Sequence, residues 1–193
     1  MNKEKDFLDG KKIALQKLEN ARSEGKVDKK ILSVLKLIND SDEYYTTSSC
    51  AGRIVLLELP EIGDKKNAKF LGKWHRTIDI EELLKAKENA IKGQLWLLAQ
   101  SPILHIVTKT ESDADEMIKL GISCGFKNSG ARSLGKRVIV EICSTERLDM
   151  PIGKDGKVFC DKEYLNFLVE LSNDVIKRSS KKLDRFEKEL NNF

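Results

Sequence analysis

Short runs of β-branched, aromatic and apolar residues follow one another in close pairs along this chain, and their spacing is what most constrains its fold. Tyr44 to Ser49 is followed by Ile54 to Leu59, which Pro60 closes. Leu95 to Ala99 is followed by Ile103 to Thr108, with Ser101-Pro102 between them. Ala131 to Leu134 reaches Arg137 to Cys143 through Gly135-Lys136, as in a hairpin. A doubly wound sheet alternates one strand with one helix. Runs paired in this way point instead to an α+β fold, with a mixed or mostly antiparallel sheet packed against helices.

Helical periodicity fills the intervals. Phe7, Ala14, Leu18 and Ala21 recur at helical spacing until Gly25, and Asp28 caps a second helix carrying Ile31, Leu35 and Ile38. Asp79 with Glu82 and Ser112 with Asp115 have capping-box spacing. The first opens a helix to about Lys92, and the second a helix with Met117, Ile118 and Gly121 on one face. Residues 63–67 read as a polar loop and Pro151 to Gly156 as a turn region. A C-terminal helix begins at Asp161, with Tyr164, Leu168, Leu171 and Val175 as its apolar face and Phe186 and Leu190 continuing it. With no linker, low-complexity segment or short repeat, residues 1–193 read as one compact domain.

At 193 residues a chain buries roughly 70% of its unfolded surface and needs no staples. Cys50, Cys124, Cys143 and Cys160 include no C-x-x-C pair, so free thiols are expected in preference to the two disulfides an even count allows. No apolar run approaches the roughly 18 residues of a membrane span. Met1 to Lys12 lacks the apolar centre of a signal peptide, so the expected location is cytoplasmic. The net charge of +4 is too mild to indicate a nucleic-acid partner, but its distribution is uneven. Met117 to Val140 holds no acidic residue and five basic ones, Lys119, Lys127, Arg132, Lys136 and Arg137. Lys177 to Lys188 carries six basic residues against Asp184 and Glu187. Such runs suit phosphate contact and equally suit solvated faces.

Several common catalytic fingerprints are missing: no G-x-G-x-x-G after a strand, no G-x-x-x-x-G-K-[ST] and no H-E-x-x-H. Polar residues concentrate instead at turns. Ser48-Ser49-Cys50-Ala51-Gly52-Arg53 offers small residues, hydroxyls and a forked cation; an ordinary tight turn is the other reading. Lys73-Trp74-His75-Arg76 sets a stacking surface beside cations, or buries a tryptophan among solvated neighbours. Gly125-Phe126-Lys127-Asn128-Ser129-Gly130, leading to Arg132, can cradle an anion through its amides or merely stop a helix at Gly125. Ser144-Thr145-Glu146-Arg147-Leu148-Asp149 supplies hydroxyls, a cation and a carboxylate in a polar turn after a strand. His105, inside an apolar run, reads as a hydrogen-bonded core histidine.

Five segments occur in a telling order: Ser-Ser-Cys-Ala-Gly-Arg at 48–53, Lys-Trp-His at 73–75, Pro-Ile-Leu-His at 102–105, Gly-Phe-Lys-Asn-Ser-Gly-Ala-Arg at 125–132 and Ser-Thr-Glu-Arg-Leu-Asp-Met-Pro at 144–151. Together they resemble the family of the third wybutosine-synthesizing enzyme, a methyltransferase acting on the tricyclic guanosine beside the anticodon of phenylalanine tRNA. The resemblance spans nearly the whole chain and is closest to the archaeal stand-alone form. Ser101 departs from it, standing where some relatives are expected to have an acidic residue.

The resemblance implies S-adenosylmethionine as cofactor and the anticodon stem-loop of tRNA(Phe) as partner, with no membrane and no obligate protein partner. It implies cofactor contacts from Ser48, Ser49, Cys50, Asn128, Ser129, Gly130, Ser144 and Thr145. RNA contacts fall to Arg53, Lys73, Trp74, Lys127, Arg132, Lys136, Arg137 and Arg147, and His75 and Asp149 are the candidate proton acceptors. A non-catalytic tRNA-binding protein is the alternative. A metal enzyme has little support from two histidines and scattered cysteines, and no metal ligand is assigned.

Overall fold

The computed structural model describes residues 3–64 and 66–193; positions 1, 2 and 65, the last inside the polar loop at 63–67, lie outside the description. The α+β expectation holds, with every strand pair antiparallel. The chain forms two compact units that it enters alternately. Unit 1 comprises residues 1–51, 102–145 and 180–193, and unit 2 residues 52–101 and 146–179.

Unit 1 contains α1 (Lys3–Ser23), α2 (Leu32–Asp40), β1 (Tyr44–Cys50), β5 (Ile103–Thr108), α4 (Glu111–Ser123), β6 (Gly130–Leu134) and β7 (Val138–Cys143). It also holds the end of α5 (Lys162–Leu190). Its sheet runs β1-β5-β7-β6. Alternation along the strands sends Tyr44, Leu104, Ile106, Val140 and Ile142 into a core closed by α2, α4, Leu183 and Phe186. On the opposite face, Tyr45, Val107 and Ile139 gather around Phe7 of α1. Further along that face stand His105 and Glu141, the next residues of the same parity on β5 and β7.

Unit 2 contains β2 (Arg53–Leu59), β3 (Lys69–Trp74), α3 (Ile80–Lys87), β4 (Gln94–Gln100), β8 (Arg147–Lys154) and β9 (Lys157–Val158), with α5 up to residue 179. The sheet order is β3-β2-β4-β8-β9. Ile54, Leu56, Leu95, Leu97, Ala99 and Ile152 pack with Leu83 of α3 and with Leu165, Leu168, Val169 and Ile176 of α5. Asp155 and Gly156, at φ +50° and +72°, form the tight turn joining β8 to β9.

Several local expectations are met. Asp28 Oδ1 accepts from Lys30 N at 3.1 Å, the Asp79–Glu82 capping box opens α3, and β6 pairs with β7 across Gly135-Lys136. Others are corrected. The close runs β1/β2 and β4/β5 do not pair with each other: each pair divides between the two sheets. The helix from Asp79 stops at Lys87, and the Ile91 and Lys92 amides donate to Glu58 Oε1 at 2.6 and 2.9 Å. The box at α4 is Thr110 with Asp113, two residues earlier than Ser112 with Asp115. On α5 the buried stripe is Leu165, Leu168, Val169, Ser172, Ile176, Ser179, Leu183 and Phe186, whereas Tyr164 and Leu171 are exposed. The stretch at 147–154 is a strand rather than a turn region. Pro151 is tolerated because it stands opposite Trp96, where the β4–β8 register shifts.

Candidate functional site

Chemistry in unit 1 centres on the polar end of its sheet. Between Thr46 and Ser49 the β1–β5 register slips, so Thr47 and Ser48 together face His105. Such a bulge re-aims a side chain that regular pleating would turn away. Ser48 Oγ lies 2.7 Å from His105 Nδ1, and His105 Nε2 lies 2.7 Å from Glu141 Oε2. Arg132 of β6 donates to the other Glu141 oxygen. A carboxylate only accepts, so Nε2 carries the proton towards Glu141, and Nδ1 accepts the Ser48 hydroxyl proton in the neutral ring. The result is a chain hydroxyl–imidazole–carboxylate–guanidinium running across all four strands of the sheet. Its imidazole is partly solvent-accessible, with 31% of the side chain exposed.

The electrostatics keep Glu141 ionised. Burial pushes its carboxyl up, but hydrogen bonds from Arg132 and His105, together with their charge, hold it below the ordinary carboxylate value. A carboxyl with a depressed folded-state value contributes stability that is present above the unfolded value, about 4.3, and is lost as pH falls through the lower folded one. Glu141→Gln is therefore expected to be less stable than the native chain at pH 7. The gap should narrow as urea melts are taken from pH 6 to below pH 4; a gap that stays constant over that range contradicts the ion pair.

The remaining unit 1 candidates surround the strand ends. Asn128 N donates to Cys143 O at 3.1 Å. Ser129 Oγ donates to Phe126 O at 2.6 Å and accepts from Cys143 N at 3.2 Å, fixing the 125–130 loop to the end of β7. Gly125, at φ +100°, closes α4 as expected. Lys182 Nζ donates to the buried Ser144 Oγ at 2.8 Å. Ser49 Oγ is buried without a hydrogen-bond partner among the described residues, and a Cβ placed on Gly130 would meet nothing within 4 Å. Cys50 and Cys160 are half-buried, Cys124 and Cys143 buried, and all four are free thiols. Thr145, Lys127, Lys136 and Arg137 are exposed.

Unit 2 carries the other candidates. Arg53 Nε donates to Gln100 Oε1 at 2.7 Å, and its guanidinium lies 5.7 Å from the Phe70 ring centroid. Trp74 is half-buried against the core and its ring lies across Gly72, where an added Cβ would come within 2.0 Å of it. One ring face is thus occupied. Lys73 is exposed. His75 Nδ1 lies 3.1 Å from Gly52 O; a carbonyl accepts, so Nδ1 carries the proton and Nε2 is the basic nitrogen of the neutral ring. Arg147 and Asp149, two apart on one face of β8, form an ion pair, so Asp149 stands on a strand and not in a polar turn.

His105 and Glu141 form a pair that residue-by-residue inspection misses. Each stands alone as an acid or imidazole in an apolar strand, Ile-Leu-His-Ile-Val-Thr and Val-Ile-Val-Glu-Ile-Cys. A buried charge requires a partner, and that was the available signal. A cavity of about 700 Å³ between α1 and α2, lined by Leu15, Leu18, Leu32 and Leu35, holds none of the candidate residues. Among the described residues no cluster of three His, Cys, Asp or Glu side chains could hold a metal ion, and no helix is long and apolar enough to cross a membrane.

The fold of antiparallel sheets packed with helices is shared with known proteins along nearly the whole chain. A solved structure of a Pyrococcus horikoshii protein superposes with a TM-score of 0.93 at 48% identity, covering 99% of each chain. A hypothetical protein of Aeropyrum pernix does so at 0.74 and 28% identity, covering 86% of this chain and 98% of that one. The family model for methyltransferase TYW3 matches residues 9–192. A curated relative from Pyrococcus horikoshii is 49% identical over 96% of this chain and 95% of its own length, and one from Methanocaldococcus jannaschii 44% identical over 95% and 96%. Both bear the name tRNA(Phe) 7-((3-amino-3-carboxypropyl)-4-demethylwyosine(37)-N(4))-methyltransferase, the former with the suffix 1. The protein is an enzyme of the methyltransferase class. It belongs to the methyltransferase TYW3 family.

Proposed function

We propose that residues 1–193 act as one cytoplasmic, S-adenosylmethionine-dependent methyltransferase domain. Its substrate is tRNA(Phe) bearing 7-(3-amino-3-carboxypropyl)-4-demethylwyosine 3′ of the anticodon, methylated at N4. The observation that carries this reading is the match to relatives of that name over nearly the full length of both chains.

The residues fit the methyl donor. The orphaned Ser49 hydroxyl and the open space beside Gly130 fall within the segments expected to hold it, with Cys50, Asn128, Ser129, Ser144 and Thr145 alongside. S-adenosylmethionine supplies an electrophilic methyl group, so a ring nitrogen that gains it must lose its own proton. The Ser48–His105–Glu141 chain is suited to that task. His105 Nδ1, within hydrogen-bond reach of Ser48, accepts the proton directly or through the hydroxyl, and ionised Glu141 stabilises the resulting imidazolium. His75 and Asp149 are the second candidates; Asp149 is already engaged by Arg147. Arg53, Lys73, Trp74, Lys127, Arg132, Lys136, Arg137 and Arg147 are proposed to contact the anticodon stem-loop, with Arg132 also orienting Glu141. No obligate protein partner is needed for this reaction.

The test is incubation with labelled S-adenosylmethionine and tRNA carrying the demethylwyosine intermediate, followed by digestion and identification of the nucleoside. Label in the N4-methylated product is expected. Tight tRNA binding without label would establish the non-catalytic alternative.

A further inference from the structure

Away from the His105–Glu141 pair, towards the other end of the same sheet face, unit 1 has a second polar concavity. A cavity of about 210 Å³ lies where α1, the start of α4 and the β6–β7 turn meet, lined by Lys3, Lys109, Lys136 and Arg137 against Asp6 and Glu111. Four cations to two carboxylates leave it electropositive, although Lys109 also pairs with Glu4 at 3.3 Å. The N-terminal ends of both α1 and α4 border the cavity and add the positive ends of their dipoles. Tyr45 in its wall is 1% exposed, and its hydroxyl is buried with no hydrogen-bond partner among the described residues. An unmet buried hydroxyl is costly, so its retention calls for a purpose. The point 2.5 Å from the Tyr45 hydroxyl oxygen, where Gly10 would carry a Cβ, lies 3.7 Å from a terminal nitrogen of Arg137. Hydroxyl and guanidinium thus converge beside a helix whose glycine leaves room for them.

We propose that this cavity binds a phosphate group, held between the Tyr45 hydroxyl and the Arg137 guanidinium with Lys136, Lys109 and Lys3 around it, and that the group is a backbone phosphate of the RNA substrate. A shift of the exposed Arg137 side chain admits an anionic oxygen that accepts from both donors. The volume decides the ligand's size: 210 Å³ is below the roughly 300 Å³ at which small-molecule pockets begin, so a single phosphate fits and a whole nucleotide does not. The RNA source rests on the function proposed above; the phosphate chemistry does not.

The test uses the full chain, with inorganic phosphate and an unmodified tRNA(Phe) transcript as probes and no methyl transfer in the readout, so a failed activity assay leaves it intact. Phosphate is expected to raise the Tm above that in chloride of equal ionic strength, by linkage to the folded state. Tyr45→Phe should match or exceed the native Tm without ligand, because it removes an unmet hydroxyl. It should lose most of the phosphate increment and bind the transcript about tenfold more weakly, the size of one hydrogen bond to a charged group. Arg137→Gln, at an exposed position, should do the same to both readouts. Loss of the phosphate increment with unchanged RNA affinity would support the phosphate site and overturn its RNA source. The site itself is overturned if both variants keep the full increment, or if Tyr45→Phe is markedly less stable without ligand.

Discussion

His105→Gln is expected to lower kcat for tRNA methylation by about 10²-fold or more while KM moves only a few-fold, the pattern of lost acid–base assistance. The side chain keeps its size and a donor for Glu141 but no longer offers a basic nitrogen to Ser48. Glu141→Gln should be milder, about tenfold, because the imidazole remains and loses only the carboxylate that stabilises its charged form. If His105→Gln keeps near-native kcat while His75→Asn or Asp149→Asn loses it, the proton acceptor belongs to unit 2.

Phe186→Ala is expected to destabilise the chain by about 4 kcal/mol, in the range for emptying a fully buried aromatic site. Phe186 meets Phe126 edge-to-face, with ring centroids 5.7 Å apart, so the substitution removes an aromatic pair as well as apolar area. For a protein of this size, 4 kcal/mol corresponds to a fall in Tm of about 12 °C. Urea and thermal melts read it directly. A loss under about 1 kcal/mol would mean that the end of α5 only rests on unit 1 instead of completing its core.

What the sequence reveals here divides by range. The caps at Asp28 and Asp79, the helix stop at Gly125 and the β6–β7 turn depend on residues within a few positions of one another, and each is legible. Strand partnership is not local. β1 and β2 are separated by two residues, as are β4 and β5, yet members of each pair enter different sheets, and their alternation looks the same in either destination. The stripe on α5 was misphased by one position because Tyr164 and Leu171 are apolar and exposed, whereas Ser172 and Ser179 are polar and fully buried. Ser172 is accommodated by donating to Leu168 O at 2.8 Å, a bond that a count of apolar residues ignores.

The site was half legible for the same reason. Ser48 and Arg132 draw notice as polar residues in suggestive segments, but the groups that link them, His105 and Glu141, sit in apolar strands and gain meaning only when β5 is set beside β7. The proline two residues beyond Asp149 signals a turn in isolation but here occupies a register shift within β8.

The alternating route of the chain between its two units has a consequence for biosynthesis. All residues of unit 2 have been made once position 179 is reached, whereas the core of unit 1 takes Leu183 and Phe186 from the segment that follows. A ribosome paused before residue 186 therefore holds a nascent chain whose first-made helices and strands still face an unfilled hydrophobic gap. Unit 1, although it contains residues 1–51, completes its core after unit 2 has all its residues, and its apolar surface stays open for that interval.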